Sequence, residues 1–203
     1  MGGLQLITPA ASGAVTLQEA KDYLRLSDAA NDGFLQSAIQ AVSLRFESFT
    51  RRALVAQAWD LWLDSPPEEA ILEIPKPPLQ SVTFIKSYGA DNTATVFDAA
   101  NYTADLVSVP GRVVLNSGAA WPSAVRGFNS IQIRFAAGYA DASQVPSDIK
   151  QGALHWLKLL AAGKSRLFES DENSAALGEL SRAEIPPAVR GFWDAYRLIR
   201  VRI

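Results

Sequence analysis

The sequence predicts an α+β protein: a helical hairpin and C-terminal helices, with an antiparallel β-sandwich or barrel-like module inserted between them. Three observations lead there. Apolar residues recur every three or four positions from Leu17 to Phe49, as one face of a 3.6-residue repeat requires. From Gln57 to Ala137 they alternate in short runs broken by Gly, Pro, Asn and Asp, the pattern of strands and turns. At Pro146 the helical period returns.

The amino-terminal stretch "MGGLQLITPAASGA" is rich in Gly, Ala, Pro and Ser and reads as a loosely held arm. It lacks the charged and long apolar regions of a signal peptide. Thr16-Leu17-Gln18-Glu19 has capping-box spacing, so a first helix starts at Thr16. Leu17, Ala20, Tyr23 and Leu24 share its apolar face. After the polar interruption Asp28 to Gly33, a longer helix runs from Asn31 or Asp32 to Phe49. Its stripe is Leu35, Ala38, Ile39, Val42, Phe46 and Phe49. A short polar loop between two such helices predicts an antiparallel hairpin.

The junction "FTRRALVAQAWDLWLD" passes from helix to strand without Gly or Pro. Arg51 and Arg52 stand at the helix C-terminus, where cations complement the dipole; the functional alternative is that one of them contacts a neighbouring chain. From Gln57 the period is two, with Trp59, Leu61 and Leu63 on one face and Asp60, Trp62 and Asp64 on the other. Further strands are expected at Ile71–Ile74, Ser81–Tyr88, Thr95–Phe97, Tyr102–Leu106, Arg112–Leu115 and Ser130–Ala137. Pro146 and Asp148 then suit the first turn of a helix whose stripe is Ile149, Ala153, Trp156, Leu157 and Leu160. A polar stretch follows Gly163, and Pro186-Pro187 opens a last helix with Val189, Phe192, Trp193, Tyr196 and Ile199 on its apolar side. The expected division is an arm at 1–15, a helical core at 16–53 and 146–168, a β module at 54–145, a linker at 169–185 and a C-terminal docking helix at 186–203.

The chain has 203 residues, no cysteine and a formal net charge of −2. Disulfides, thiolate metal sites and Cys nucleophiles are therefore excluded. A binder living on phosphate neutralisation carries a basic excess, which is missing here. No apolar run approaches the roughly 20 residues that span a bilayer. His155 is the only histidine and has no Ser or Asp motif beside it. Neither a nucleophile elbow, a zinc helix motif nor a P-loop is present. "DAANDG", Asp28 to Gly33, resembles part of a calcium loop but lacks its register and terminal Glu. Glu68-Glu69 and Asp171-Glu172 lie in polar stretches that give no tuned environment for acid–base work. No catalytic residue, cofactor or metal is expected.

Two features remain. Five tryptophans are many for this length, and Trp59, Trp62 and Trp121 fall in the β module. They support one rival function, a ligand- or glycan-binding β module with helical flanks; a second rival is a hydrolase without standard motifs. Trp59 and Trp62 face opposite ways, so at least one is core and the other is core or an interface anchor. From Arg182 onward the arginines Arg182, Arg190, Arg197, Arg200 and Arg202 oppose Glu184 and Asp194, a local excess of three positive charges. That is either a solvated helix face or a docking arm for an acidic protein surface.

The ordered stretches "TLQEAKDYLRL", "NDGFLQSAIQAVSLRFESFTRRALVAQAWDLWLD", "LEIPKPPLQSVTFIKSYG", "YTAD…PGRVVL…WP", "IQIRFAAGY…VPSDIKQGALHWL" and "IPPAVRGFWDAYRLIRV" resemble the head–tail connector (adaptor, or head-completion) proteins of long-tailed phages and gene transfer agents. The resemblance covers nearly the whole chain. It departs at Arg51, where the family commonly has Gly, and at "LKLLAAGKSRLF", where the family often has a Tyr-rich, charged helix end. The resemblance implies a homo-oligomeric ring of about twelve copies below the portal protein, in the neck of a virion or phage-like particle. Before assembly the protein would lie in the host cytoplasm. DNA would pass through the lumen without sequence-specific binding, a stopper or tail-completion protein would dock beneath, and no membrane or catalysis would be involved. On this basis Arg190, Phe192, Trp193, Tyr196, Arg197, Arg200 and Arg202 are the candidates for portal docking. Arg51, Arg52 and Trp62 are the candidates for contacts between subunits. The docking helix is expected to hang on a mobile linker, so that removing residues 190–203 leaves a folded protein.

Overall fold

The computed structural model describes residues 2–122, 126–163 and 184–198. The chain divides into two units: Ala56–Gly138 with the amino-terminal strand, and Ala11–Val55 with Tyr139–Leu198. The α+β expectation holds, as helices and two antiparallel sheets that do not close into a barrel.

The helical unit holds α1 (Leu17–Leu24), α2 (Asp32–Thr50), α3 (Ser147–Gly163) and α4 (Pro187–Trp193). The capping box forms: Thr16 Oγ1 accepts from the Glu19 amide at 3.1 Å and Glu19 Oε2 accepts from the Thr16 amide at 2.7 Å, satisfying two amides that a helix start leaves open. Glu19 Oε1 also accepts from Lys150 Nζ at 2.8 Å, tying α1 to α3. Leu35, Ala38, Ile39, Val42 and Phe46 of α2 are buried, as the stripe predicts. They form a core with Ile149, Ala153, Trp156 and Leu157 of α3 and Val189 and Trp193 of α4. Each large side chain removed from water in this way stabilises by about 1.5–3 kcal/mol.

The end of α2 explains the abrupt junction. Arg51 takes the left-handed conformation, φ 61°, and terminates the helix as its C-cap. Arg51 thus does the geometric work usually given to Gly. The buried Glu47 accepts from the Leu54 amide at 2.7 Å, and Arg52 Nε donates to the Tyr196 carbonyl at 2.6 Å. A bridge between Val55 and Tyr139 joins the outgoing and returning chain.

The β unit contains β1 (Gly2–Thr8), β2 (Gln57–Leu63), β3 (Ile71–Glu73), β4 (Leu79–Tyr88), β5 (Ala94–Phe97), β6 (Tyr102–Asp105), β7 (Arg112–Leu115) and β8 (Ile131–Ala137). One sheet has the order β1-β2-β8-β4-β5 and the other β3-β7-β6, all pairs antiparallel. Seven of the eight strands lie within two residues of their expected positions. The exception is β1. Residues 2–8 are not a loose arm but a strand paired with β2, from Gly2↔Leu63 to Thr8↔Ala58. Its Gly-rich start reads locally as coil; the partner that satisfies its backbone lies fifty or more residues away.

In the larger sheet Leu61, Leu63, Ile85, Ile131, Ile133 and Phe135 share one buried face. In the smaller sheet Leu72 and Val113 are buried, and Gly111 approaches Leu79 so closely that a Cβ would overlap its side chain.

Candidate interaction surfaces

Strand alternation puts Asp60, Trp62, Gln132, Arg134, Lys86 and Tyr88 on the second face of the five-stranded sheet. This face is not simply solvated. Asp60 is only 2% exposed and accepts from Arg134 Nε at 2.8 Å, Arg134 Nη2 at 2.7 Å and Gln132 Nε2 at 2.7 Å. Burial opposes its ionisation, but the bonds from Arg134 and Gln132, with the charges of Arg134 and Lys86, win and hold its carboxyl below the ordinary 3.8. The same pairing raises the Arg134 guanidinium. Beside this pair, Arg126 lies 4.4 Å from the Tyr88 ring centre and 5.9 Å from that of Trp62, while its guanidinium donates to the carbonyls of Phe128 and Asn129 and to Asn92. Trp62 leans on Tyr88 at 5.7 Å and points its Nε1 toward Gln5. Its ring is therefore half-buried and engaged with Tyr88 and Arg126 rather than standing as an open platform.

Between β6 and β7 the chain turns through Leu106, Val107, Ser108 and Val109. Val107 is 92% exposed and Leu106 and Val109 about half exposed. This apolar tip is held firmly from below. The Asp105 carboxylate accepts from the Ser108 hydroxyl at 2.7 Å, from Arg112 at 2.6 and 3.0 Å, and from the amides of Val107 and Ser108. Ser108 and Arg112 together drive the carboxyl far below the usual carboxylate range. Sequence reasoning missed this feature. Its signal is the run "LVSVP", three aliphatic residues inside a turn, where polar ones are the rule.

The expected docking residues separate. Trp193 is fully buried: it packs edge-on against Phe46 at 5.3 Å and beside Trp156 at 5.7 Å, and its Nε1 donates to the Ile149 carbonyl at 3.3 Å. It holds the helical core together and is not a docking contact. The expectation that residues 190–203 can be removed from a folded protein fails for the same reason, since the cut strips Trp193 from that core. Tyr196 is half-buried against Phe46 and Arg52. The helix stops at Trp193 and a single 3-10 turn, Asp194–Tyr196, follows. Arg190 is on the helix and Arg197 beyond it in extended backbone, yet both lie over the Phe49 ring, at 5.9 and 5.3 Å. Arg190, Phe192 and Arg197 are exposed. Arg200 and Arg202 lie outside the described residues.

Among the candidates for contacts between subunits, Arg51 is exposed and Trp62 half-buried. Arg52 is committed to its own chain: burial lowers its guanidinium pKa, the ring of Tyr196 sits 5.8 Å away, and its Nε is bonded to the Tyr196 carbonyl. The acidic loop between α1 and α2 is likewise occupied. Asp32 pairs with Lys21 at 2.7 Å and Asp28 accepts from the Ala30 amide. Among the described residues no three His, Asp or Glu side chains gather where they could hold a metal, and no helix is long and apolar enough to cross a membrane.

No protein-family model and no curated protein matches the chain. Solved structures do. A chain from the neck of an empty GTA particle computed with C6 symmetry superposes with a TM-score of 0.72 at 22% identity, over 98% of this chain and 97% of that one. A chain from the virion of a native gene transfer agent particle gives 0.70 at 20% identity, and one from the neck of a native GTA particle computed with C12 symmetry gives 0.68 at 23%, both over the same shares. The chain thus has the fold of gene-transfer-agent neck proteins from end to end, in agreement with the resemblance carried by its sequence.

Proposed function

We propose that this chain is a structural connector of a particle neck, forming a ring below the portal that joins the DNA-filled head to the stopper or tail and lets DNA pass. The single observation that carries this is the likeness of fold over 98% of the chain to chains of neck particles computed with C6 and C12 symmetry. A slightly acidic polypeptide suits a conduit, because it does not grip phosphate. The apolar tip Leu106–Val109 and the exposed group Arg190, Phe192 and Arg197 offer two chemically different surfaces, one for an apolar cleft and one for an acidic patch. In this proposal the second meets the portal.

The test is sedimentation of the purified protein with and without the portal protein of the same particle. A ring-sized species on the portal is expected. A protein that stays monomeric in both cases, and electron microscopy of particles with no density for it at the neck, would overturn the proposal. The double variant Arg190→Glu, Arg197→Glu should keep its Tm within about 3 °C, since exposed substitutions cost about 0.5 kcal/mol each, yet lose portal attachment. Unchanged attachment would exclude this surface.

A further inference from the structure

We infer that the two free edges of the five-stranded sheet join in the assembly, β5 of one copy pairing in parallel with β1 of the next. This rests on the ring-forming role proposed above and adds the surface that makes the ring.

The sheet order is β1-β2-β8-β4-β5, so β1 and β5 each have one edge without a strand partner among the described residues. Natural edge strands are normally guarded by charged residues, Pro or bulges that turn the edge away. Here β1 reads GGLQLIT and β5 reads ATVF, with no charge and no Pro in either, and the register shift of β1 falls only at its end, between Leu6 and Thr8. Both also expose apolar side chains: Leu4 36%, Leu6 44%, Ile7 37% and Val96 62%. Such edges call for a partner strand in the protein's working state.

Strand direction selects the partner. Each neighbouring pair in the sheet is antiparallel. Four successive reversals leave β1 and β5 running the same way. Pairing β1 with β1, or β5 with β5, needs a two-fold axis and stops at two copies. Pairing β5 with the next copy's β1 is head-to-tail, uses two different patches, and repeats by rotation until a ring closes. Face parity and register agree: Val96 lies opposite Lys86, Lys86 opposite Gln132, Gln132 opposite Trp62 and Trp62 opposite Gly3, so Gly3 and Val96 share one face and one row and would stand side by side in a sheet that continues level. A second copy of this chain is therefore the occupant.

The chain has no cysteine, so engineered thiols report without background. Within one copy Gly3 and Val96 lie four strand spacings apart, about 19 Å along a flat sheet, well beyond the roughly 7 Å that a disulfide tolerates. The single variants Gly3→Cys, where an added Cβ meets nothing within 4 Å, and Val96→Cys are mixed, assembled with the portal protein, oxidised and resolved by non-reducing electrophoresis and mass spectrometry. The mixed Gly3–Val96 dimer is expected in preference to either homodimer, and the double variant should give a ladder ending in a closed ring. Rings that assemble with both thiols unreacted, or that give only homodimers, overturn the edge pairing and leave the connector role standing. No assembly with or without portal, and no crosslink, overturns both.

Discussion

Gly152 sits in the interior of α3, where helix propensity alone makes Gly→Ala favourable by about 1 kcal/mol. The tertiary structure reverses that sign. A Cβ at Gly152 would lie 2.8 Å from Cδ1 and 2.9 Å from Cε2 of Trp193, and closer still to Nε1. Trp193 is 0% exposed and bounded by Phe46 and Trp156, so the indole has nowhere to swing. Overpacking costs about 1–3 kcal/mol, and displacing Nε1 from the Ile149 carbonyl about 1 kcal/mol more. Set against the propensity gain, Gly152→Ala should destabilise by about 1–3 kcal/mol. At about 2–4 °C per kcal/mol for a chain of this size, the loss is readable as a fall in Tm. Calorimetry with tryptophan emission is the assay, because displacing a buried indole also moves the emission. Gly191→Ala in α4 is the control: nothing lies within 4 Å of its added Cβ, so it should hold or raise Tm. A Gly152→Ala protein with equal or higher Tm and unchanged emission would refute the close packing of α3 on Trp193.

Three other outcomes follow from the same contacts. Arg51→Gly should stabilise by up to about 1 kcal/mol, because a left-handed non-glycine residue costs about 1–2 kcal/mol and glycine's extra chain entropy only 0.5–1; Arg51→Val should lower Tm, and equal melting of all three would exclude the left-handed cap. The Asp60 carboxyl is held below 3.8, so its folded state binds fewer protons than the unfolded one, and the stability it contributes is present above about pH 4 and lost as pH falls through the folded value. Asp60→Asn should cost about 1–3 kcal/mol at pH 7, discounted because Arg134 is a third exposed, and should flatten the acid limb in urea melts from pH 5 to 2; an unaltered limb would assign the acid sensitivity elsewhere. Asp105→Ala removes the acceptor of the Val107 and Ser108 amides, so their hydrogen exchange should speed up by about tenfold, with Tm nearly unchanged; equal exchange rates would mean that the tip is not held by this carboxylate.

Periodicity carried the order of the elements, because each helix or strand writes its own repeat into consecutive residues. Thr16 and Glu19 marked the start of α1 for the same local reason, and Ile131, Ile133 and Phe135 announced the buried face of the central strand. The candidate surfaces were far less legible. Trp193, Tyr196 and Arg190 look alike as members of one amphipathic, basic segment; packing then buried the first, lodged the second against Phe46 and left the third exposed. Asp60 alternates like a solvent-facing residue until Arg134 and Gln132, more than seventy positions on, close around it. The strand β1 is disguised by Gly and Pro around it, and it takes β2 to give its backbone a partner within the chain. In each case the deciding energy comes from a group distant in the chain: burial, pairing and charge compensation depend on which surfaces meet, whereas a repeat of 3.6 or 2 depends only on neighbours.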